Sequence, residues 1–179
     1  MKKMIFLFIM ILFTGLSLDA HPHYFITPNV FVYTDLKGLK EIEVEWVFDR
    51  MTSVSLFEYI DSDGDGEISE AEIDKIRKKD FKSLSAYNYY TFIIVDGGKP
   101  LKIDPYYFSI ETGEDQEISY IFKAKVNMEI KRKFKLYFED SEIYIAFDLF
   151  EENIVLKGNE EMKLKFLEGD YGNAVEAYY

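Results

Sequence analysis

Hydrophobic and polar residues alternate along much of this chain with the two-residue period of a β-strand. Residues 24–34 are rich in Phe, Val, Ile and Tyr, residues 35–38 contain turn-forming Asp and Gly, and residues 41–46 alternate strictly between Glu and an apolar residue. Successive side chains of a strand point to opposite faces of a sheet, so this alternation indicates strands with one buried face. The pattern predicts a hairpin within residues 24–46.

Similar short runs continue through the second half of the chain. Glycine-containing turns at 96–100 and 113–115 each separate two apolar runs, which predicts a second and a third hairpin. The strands predicted in this half lie at 90–95, 101–103, 106–112, 116–124, 134–138, 143–150, 154–156 and 162–166.

Many short strands at regular spacing are typical of a mainly β, α+β fold, here an antiparallel β-sandwich or an open barrel. The chain has 179 residues, of which 48% are apolar, which is enough for one well-packed core. Residues 168–179 show no clear period, and we expect them either to be disordered or to pair with another chain. The sequence thus predicts one β-rich domain over residues 21–179.

One stretch, at about 52–87, departs from the strand pattern. Apolar residues recur there at helical spacing on both sides of an acidic, glycine-containing loop, which predicts a helix-loop-helix insertion. The predicted apolar face of the entering helix consists of Val54, Leu56, Phe57 and Ile60, and that of the exiting helix of Ile73, Ile76, Phe81 and Leu84.

The loop at residues 61–72 has the ligand spacing of an EF-hand. Calcium prefers several hard oxygen ligands in flexible geometry, and Gly66 stands at the sixth loop position, where the chain must turn sharply. We find no second loop of this pattern, so we expect a structural calcium ion of modest affinity; the alternative is a solvated acidic turn without an ion. The predicted calcium ligands are Asp61, Asp63, Asp65, the backbone carbonyl of Glu67, Ser69 through a water, and Glu72 through both carboxylate oxygens.

Residues 1–20 have the pattern of an export signal. Lys2 and Lys3 precede the apolar stretch 4–18, and Ala20 is a small residue suited to cleavage. This stretch is short for a membrane span, although an uncleaved signal anchor is the alternative. We therefore expect a periplasmic or otherwise extracytoplasmic protein with no membrane span after signal cleavage.

Composition excludes several kinds of chemistry. The chain has no cysteine, which excludes disulfides, thiolate metal ligands and a lipidated cysteine anchor. Its formal net charge of -12 argues against a nucleic-acid partner, because phosphate binding needs a cationic surface.

The only two histidines, His21 and His23, would lie at the start of the chain if the signal is cleaved after Ala20. The terminal amine and two imidazoles could then bind one transition-metal ion, namely nickel, cobalt, zinc or copper. Asp49 and Asp148, each beside an apolar run, are the acidic residues that could complete such a site. The alternative is that both histidines are solvated or capping residues.

The sequence offers no constellation typical of a hydrolase. A nucleophile paired with a histidine base would need the chain terminus, because histidine occurs nowhere else. Pro22 also lacks the amide hydrogen that a square-planar copper site built from backbone amides requires. We therefore predict that the protein is not an enzyme.

Five segments, in this order, resemble the DUF1007 family of exported bacterial proteins, over nearly the whole chain after the signal. Members are often described as periplasmic components of an uncharacterised ABC-type transport system, encoded near nickel, cobalt or zinc transporters, so the resemblance implies a role in metal handling. The chain departs from the family at Arg50 and at Phe138-Glu139-Asp140, where an acidic residue and Tyr-Asp-Pro are frequent. The segments are Ala20-His21-Pro22-His23, Trp46-Val47-Phe48-Asp49, residues 61–72, Tyr87-Asn88-Tyr89-Tyr90-Thr91 and Tyr144-Ile145-Ala146-Phe147-Asp148.

Three hypotheses about function remain. The first is a non-enzymatic, calcium-binding component of metal handling that passes a transition-metal ion from His21 and His23 to a membrane transporter. The second is a redox enzyme with copper held by the two histidines, and the third is a scaffold or interaction module stabilised by calcium. Bound transition metal and turnover distinguish the three.

Overall fold

The computed structural model describes residues 24–113, 116–140, 142–169 and 172–179, and these contain ten strands. The predicted first hairpin is confirmed: β1 (Tyr24–Asp35) pairs antiparallel with β2 (Gly38–Phe48). The other strands are β3 (Thr91–Val95), β4 (Pro105–Thr112), β5 (Ile118–Glu129), β6 (Lys133–Phe138), β7 (Ile145–Phe147), β8 (Ile154–Lys157), β9 (Lys163–Leu167) and β10 (Ala174–Tyr178).

The turn between β1 and β2 follows from two residues. One Asp35 carboxylate oxygen accepts the backbone N–H groups of Lys37 and Gly38, at 2.7 and 3.0 Å. Gly38 has a φ of +145°, and a Cβ there would lie 2.3 Å from the Met128 carbonyl oxygen of β5. Only glycine fits this close approach, which allows β2 to begin immediately against β5.

The strands form two sheets. The first has the order β4-β5-β2-β1-β7, with β8 also pairing with β1, and the second has the order β3-β6-β10-β9. The prediction of a mainly β, α+β fold is confirmed, and the sheets do not form a closed barrel. The expectation of antiparallel pairing is wrong at one edge, where β7 and β8 run parallel to β1. Parallel pairing needs a crossover rather than a tight turn, so local sequence gives no signal for it.

Both sheets contribute to one hydrophobic core. Val32 and Ile42 of the first sheet and Phe134 and Leu136 of the second are fully buried in the same cluster. Each buried residue alternates with a more exposed one along its strand, as the sequence pattern predicted. The core therefore extends across both sheets.

The predicted second hairpin is reduced to one antiparallel bridge, between Ile94 and Pro100, and the Leu101 N–H donates to the Ile93 carbonyl at 2.8 Å. Residues 101–103 form no strand, and β3 pairs along its length with β6. Asp96, in the turn after β3, accepts the backbone N–H groups of Lys131, Arg132 and Lys133, which attaches this turn to the start of β6. The predicted third hairpin is confirmed, since β4 and β5 pair antiparallel.

Residues near the C-terminus belong to the second sheet. β10 lies between β6 and β9 and pairs antiparallel with both. Val175 and Ala177 point into the core and are almost fully buried. The expectation that this segment is disordered or pairs with another chain is therefore wrong, because its partners are two strands of the same chain.

The predicted helical insertion follows β2. Helix α1 (Arg50–Ile60) leads to the acidic loop, helix α2 (Glu70–Ile76) follows it, and the chain continues through a π-helical turn (Arg77–Phe81) and a 3-10 segment (Leu84–Tyr90). A second 3-10 turn, Glu151–Asn153, precedes β8. Phe81 stacks on Phe108 of β4 at 4.1 Å between ring centroids, which packs the insertion against the first sheet. None of the described helices is long and apolar enough to cross a membrane.

Candidate metal-binding site

Three aspartates of the acidic loop lie together. Carboxylate oxygens of Asp61, Asp63 and Asp65 all lie within 4.8 Å of one another. Asp61 is half-buried, whereas Asp63 and Asp65 are exposed. Three carboxylates at this separation repel one another unless a cation lies between them.

The loop backbone brings these carboxylates together through glycine and short hydrogen bonds. Gly64 and Gly66 have φ values of +73° and +87°, which residues with a Cβ rarely adopt. The Asp61 carboxylate accepts the backbone N–H groups of Gly64, Asp65 and Gly66 at 2.8, 3.2 and 3.0 Å. The chain therefore curls around the first ligand position.

Glu72, the last predicted ligand, is buried and already hydrogen-bonded through both oxygens. Oε1 accepts from the backbone N–H and the hydroxyl of Ser62, at 2.6 and 3.1 Å. Oε2 accepts from the backbone N–H and the hydroxyl of Ser69, at 3.0 and 2.8 Å. The N–H of Ser69, followed by that of Ser62, lowers the pKa of the Glu72 carboxyl to about 2.

Ser69 has a structural role besides its predicted one. It is the N-cap of α2, and its hydroxyl accepts the backbone N–H of Glu72 while the Glu72 side chain accepts the N–H of Ser69. This reciprocal pair is a capping box, and its pattern of Ser followed by Glu three residues later is visible in the sequence. Ser62 was not predicted to take part, because its contact with Glu72 spans ten residues.

The remaining loop positions are partly as expected. Glu67 is exposed, and its N–H donates to the Asp65 carboxylate at 2.8 Å. Ile68 is half-buried and packs against the hydrophobic core. In the entering helix, Ile60 is buried as predicted, but the prediction for Val54 is wrong, because this side chain is 51% exposed.

Asp49, predicted as a completing ligand for a transition metal, is the N-cap of α1. Its carboxylate accepts the backbone N–H groups of Met51 and Thr52, the Thr52 hydroxyl, and weakly the N–H of Phe25. Burial opposes ionisation of Asp49, but the hydrogen bonds from Thr52, Phe25 and Met51 prevail and lower its pKa. An aspartate directly before a helix is a common cap, so the sequence contained a signal for this role.

Asp148 lies on the other side of β1. Its backbone N–H donates to the Ile26 carbonyl at 2.9 Å, while the N–H of Asp49 donates to the Phe25 carbonyl at 3.1 Å. The Asp148 side chain is exposed. Neither aspartate belongs to a cluster of three potential ligands within the described part of the chain, and His21 and His23 lie outside it.

The architecture defines a mainly β domain with a helix-loop-helix insertion that carries an acidic cluster. A family model described as "Protein of unknown function (DUF1007)" matches residues 5–178. The chain therefore belongs to this family. No curated protein matches it.

Proposed function

We propose that this protein is an exported, non-enzymatic metal-handling component that binds calcium at residues 61–72. The convergence of Asp61, Asp63 and Asp65 carries the proposal. Two glycines at positive φ and a helix whose N-cap is the ninth loop position, Ser69, support it, because both features recur in EF-hand loops. Calcium then holds the two helices of the insertion at a fixed angle against the sheet.

Glu72 decides how tightly the loop binds. To supply both oxygens to calcium, its carboxylate must exchange at least part of four hydrogen bonds with Ser62 and Ser69. This competition reduces the affinity and favours a dissociation constant of about 10⁻⁴–10⁻³ M, the range of extracellular calcium modules. Such a site suits an environment with constant calcium better than it suits signalling.

The calcium proposal is tested by titration calorimetry with a matched pair of variants. Glu72→Gln removes a charged ligand and lowers calcium affinity by about 10–100-fold. Substitution of residues that only orient a metal ligand already produces a loss of this size. Glu67→Gln makes the same chemical change in the same loop, but position seven contributes a backbone carbonyl, so affinity stays within about twofold. Equal affinity of wild type and Glu72→Gln contradicts the proposal.

A transition-metal site at His21 and His23 is the second part of the proposed function. The strand β1 begins at Tyr24, directly after His23, and the aspartates Asp49 and Asp148 bond to its second and third residues on opposite sides. This arrangement supports capture of nickel, cobalt, zinc or copper near the start of β1 and transfer to a membrane transporter. Asp148 is the better candidate ligand, because the Asp49 carboxylate caps α1.

Native mass spectrometry of protein exported and processed in cells tests this second part. The expected result is a chain that begins at His21 and carries one transition-metal ion, which the double variant His21→Ala, His23→Ala loses while keeping calcium. A different first residue, or calcium alone, contradicts the site and leaves a calcium-stabilised scaffold. Bound copper together with turnover of a reductant and oxygen would instead indicate a redox enzyme.

A further inference from the structure

A pocket of about 300 Å³ lies between the π-helical turn, the 3-10 segment before β3 and the start of β4. None of the lining residues that the structure describes belongs to the acidic loop, so the pocket is separate from the candidate calcium site. We name it the Tyr89 pocket. Its described lining includes Arg77, Lys78, Lys82, Tyr89, Asp104 and Tyr106.

Tyr89 brings an unpaired hydrogen-bond donor to this pocket. The residue is 6% exposed, and its hydroxyl makes no hydrogen bond with any other described residue. The fully enclosed side-chain atoms without a partner in this part of the chain are Trp46 Nε1 and Asn153 Oδ1. The Tyr89 hydroxyl is not one of them, so it remains accessible from the pocket that Tyr89 lines. Buried tyrosine hydroxyls usually have a partner, so an accessible unpaired one favours a ligand that carries an acceptor.

The surroundings of Tyr89 hold its backbone in place and keep its hydroxyl protonated. The residue has a φ of +51°, which is uncommon for a bulky side chain. The Asn88 side chain holds this turn by donating to the Thr91 and Leu101 carbonyls at 2.7 and 3.0 Å. Burial, followed by the Asp104 carboxylate, raises the pKa of the Tyr89 hydroxyl. The hydroxyl is therefore a donor at neutral pH.

Three cations lie on the same pocket wall. The Arg77 guanidinium is held by its Nη2, which donates to the Phe108 carbonyl at 3.0 Å, and by its Nη1, which bonds to the Asp74 carboxylate. Its remaining N–H groups have no partner among the described residues. Lys78 pairs with Asp74 at 2.5 Å, whereas Lys82 is exposed and pairs with no described carboxylate. The pocket therefore contains donors beyond those that the fold uses.

Charge and wall chemistry narrow the class of ligand. Among the described lining residues, three are cations and one, the exposed Asp104, is a carboxylate, while Asp74 offsets one further cation. This local excess of cations contrasts with the formal net charge of -12 for the whole chain, so the pocket favours an anion. The rings of Phe81 and Phe108, stacked at 4.1 Å between centroids, also line the pocket and favour an aromatic ring.

We propose that the Tyr89 pocket binds a small aromatic carboxylate, whose oxygens accept from the Tyr89 hydroxyl, the Arg77 guanidinium and the Lys82 ammonium group. A planar carboxylate matches the fork of guanidinium N–H groups, and a single negative charge matches the small local excess of cations. A cavity of about 150 Å³ accommodates benzene, so this pocket has room for a ring together with its acidic group. Binding there requires neither calcium nor a transition metal.

Four small probes separate the effects of charge and ring. Benzoate is the expected ligand, benzamide is its uncharged match, acetate lacks the ring, and benzylammonium carries the opposite charge. ¹⁵N–¹H correlation spectra of the full-length, processed protein, including the Arg77 Nε–H signal, measure binding. We expect benzoate to shift the Arg77 signal in a saturable manner and to bind about tenfold more tightly than benzamide, because hydrogen bonds to charged groups are stronger. Acetate should also bind roughly tenfold more weakly than benzoate, because it buries no ring.

A matched pair of tyrosine variants tests the donor. Tyr89→Phe keeps the ring and removes the unpaired hydroxyl, so benzoate should bind it about tenfold more weakly. Tyr106→Phe makes the same change in the same lining, but the Tyr106 hydroxyl already bonds to Glu41, so benzoate affinity should stay within about twofold. Without a probe, Tyr89→Phe should unfold at the same urea concentration as wild type, because its hydroxyl has no partner to lose among the described residues.

Asp104→Asn tests the sign of the charge that the pocket accepts. It removes the carboxylate from the described lining, so benzoate should bind about two- to fivefold more tightly than it binds wild type. Weaker binding of benzoate to this variant would contradict the placement of an anion in the pocket.

Four further results overturn the proposal. The first is a wild-type affinity for benzamide or acetate equal to that for benzoate, and the second is an Arg77 signal that benzoate does not shift. The third is a Tyr89→Phe variant that binds benzoate as tightly as wild type or unfolds at a lower urea concentration, which would make the hydroxyl structural. The fourth is tighter binding of benzylammonium than of benzoate, which would make the pocket a cation site.

Discussion

The acidic loop and the start of β1 differ in whether their carboxylates converge on one point. In the loop, Asp61, Asp63 and Asp65 lie within 4.8 Å of one another. At the start of β1, the Asp49 carboxylate serves α1, and Asp148 lies across the strand from it. The comparison teaches that acidity beside a strand does not make a ligand, because helix caps compete for the same oxygens.

Both regions contain the N-cap of a helix, but the number of residues that form the cap differs. At α1 one residue, Asp49, supplies the whole cap. At α2 the cap consists of Ser69 and Glu72, so three aspartates of the loop remain outside it. Because Ser69 and Glu72 form the cap, the carboxylates of the three aspartates remain available to bind a cation.

The largest expected effect is stabilisation of the loop region by calcium. At free calcium a hundredfold above its dissociation constant, the free energy of unfolding should rise by about 2.7 kcal/mol. For a domain of this size the midpoint of thermal unfolding should rise by roughly 5–10 °C. Urea unfolding followed by Trp46 fluorescence, in calcium and in chelator, measures the difference.

The control for this prediction removes charge from the cluster without changing the N-cap of either helix. The double variant Asp61→Asn, Asp63→Asn should unfold at the same urea concentration with and without calcium. A variant that still gains stability from calcium would show that the ion binds elsewhere.

The second prediction concerns the start of β1. Asp49→Ala should lower the free energy of unfolding by about 2 kcal/mol, the upper part of the range for N-caps, because the carboxylate accepts from Met51, Thr52 and Phe25. Asp148→Ala, on the other side of β1, should lower the free energy of unfolding by less than about 0.5 kcal/mol, because the Asp148 side chain is exposed. Urea unfolding of both variants tests this, with calcium affinity unchanged in each. If both substitutions lower the free energy of unfolding equally, Asp49 does not stabilise the fold as the N-cap of α1.

Features formed by neighbours along the chain could be predicted from the sequence. The β1–β2 hairpin follows from strict alternation around a turn, and the acidic loop from twelve contiguous positions. Pairing of distant segments could not be predicted in this way. β3 pairs with β6 about forty residues later, and β10 reaches β6 with two small alanines among five residues.

The candidate metal site shows the same limit. The Asp61 cluster depends on ligand spacing, whereas the contact of Ser62 with Glu72 depends on how the folded loop closes on itself across ten residues. Asp49 was interpreted as a ligand because it follows a strand, although it also precedes a helix. The second fact governs its contacts, since four donors at the start of α1 lack partners within the helix.

The third prediction tests the shared cap of α2. Ser69→Ala removes the hydroxyl that donates to the Glu72 carboxylate and accepts from the Glu72 N–H. In calcium-free buffer it should lower the free energy of unfolding by about 1 kcal/mol. Ser55→Ala is the matched control, because Ser55 is exposed and its hydroxyl makes only a long bond to the Met51 carbonyl, at 3.4 Å. Urea unfolding of the two variants side by side measures the difference, and equal costs would argue against the capping box.

The last prediction makes the smallest chemical change, which is the addition of one proton to Glu72. Its folded pKa of about 2 lies below the ordinary value of 4.5, so its contribution to stability is fully present above pH 4.5 and is lost as the pH falls through about 2. Protonation leaves the side chain in place but adds an O–H donor and removes the negative charge that the Ser62 and Ser69 donors favour. Urea unfolding of wild type and Glu72→Gln in calcium-free buffer, from pH 6 down to the acid limit, should show the two free energies converging between pH 4.5 and 2. A constant difference across that range would mean that the hydrogen bonds from Ser62 and Ser69 do not favour the ionised Glu72 carboxylate. Those bonds would then not compete with calcium for this carboxylate, and weak calcium binding would lose its explanation.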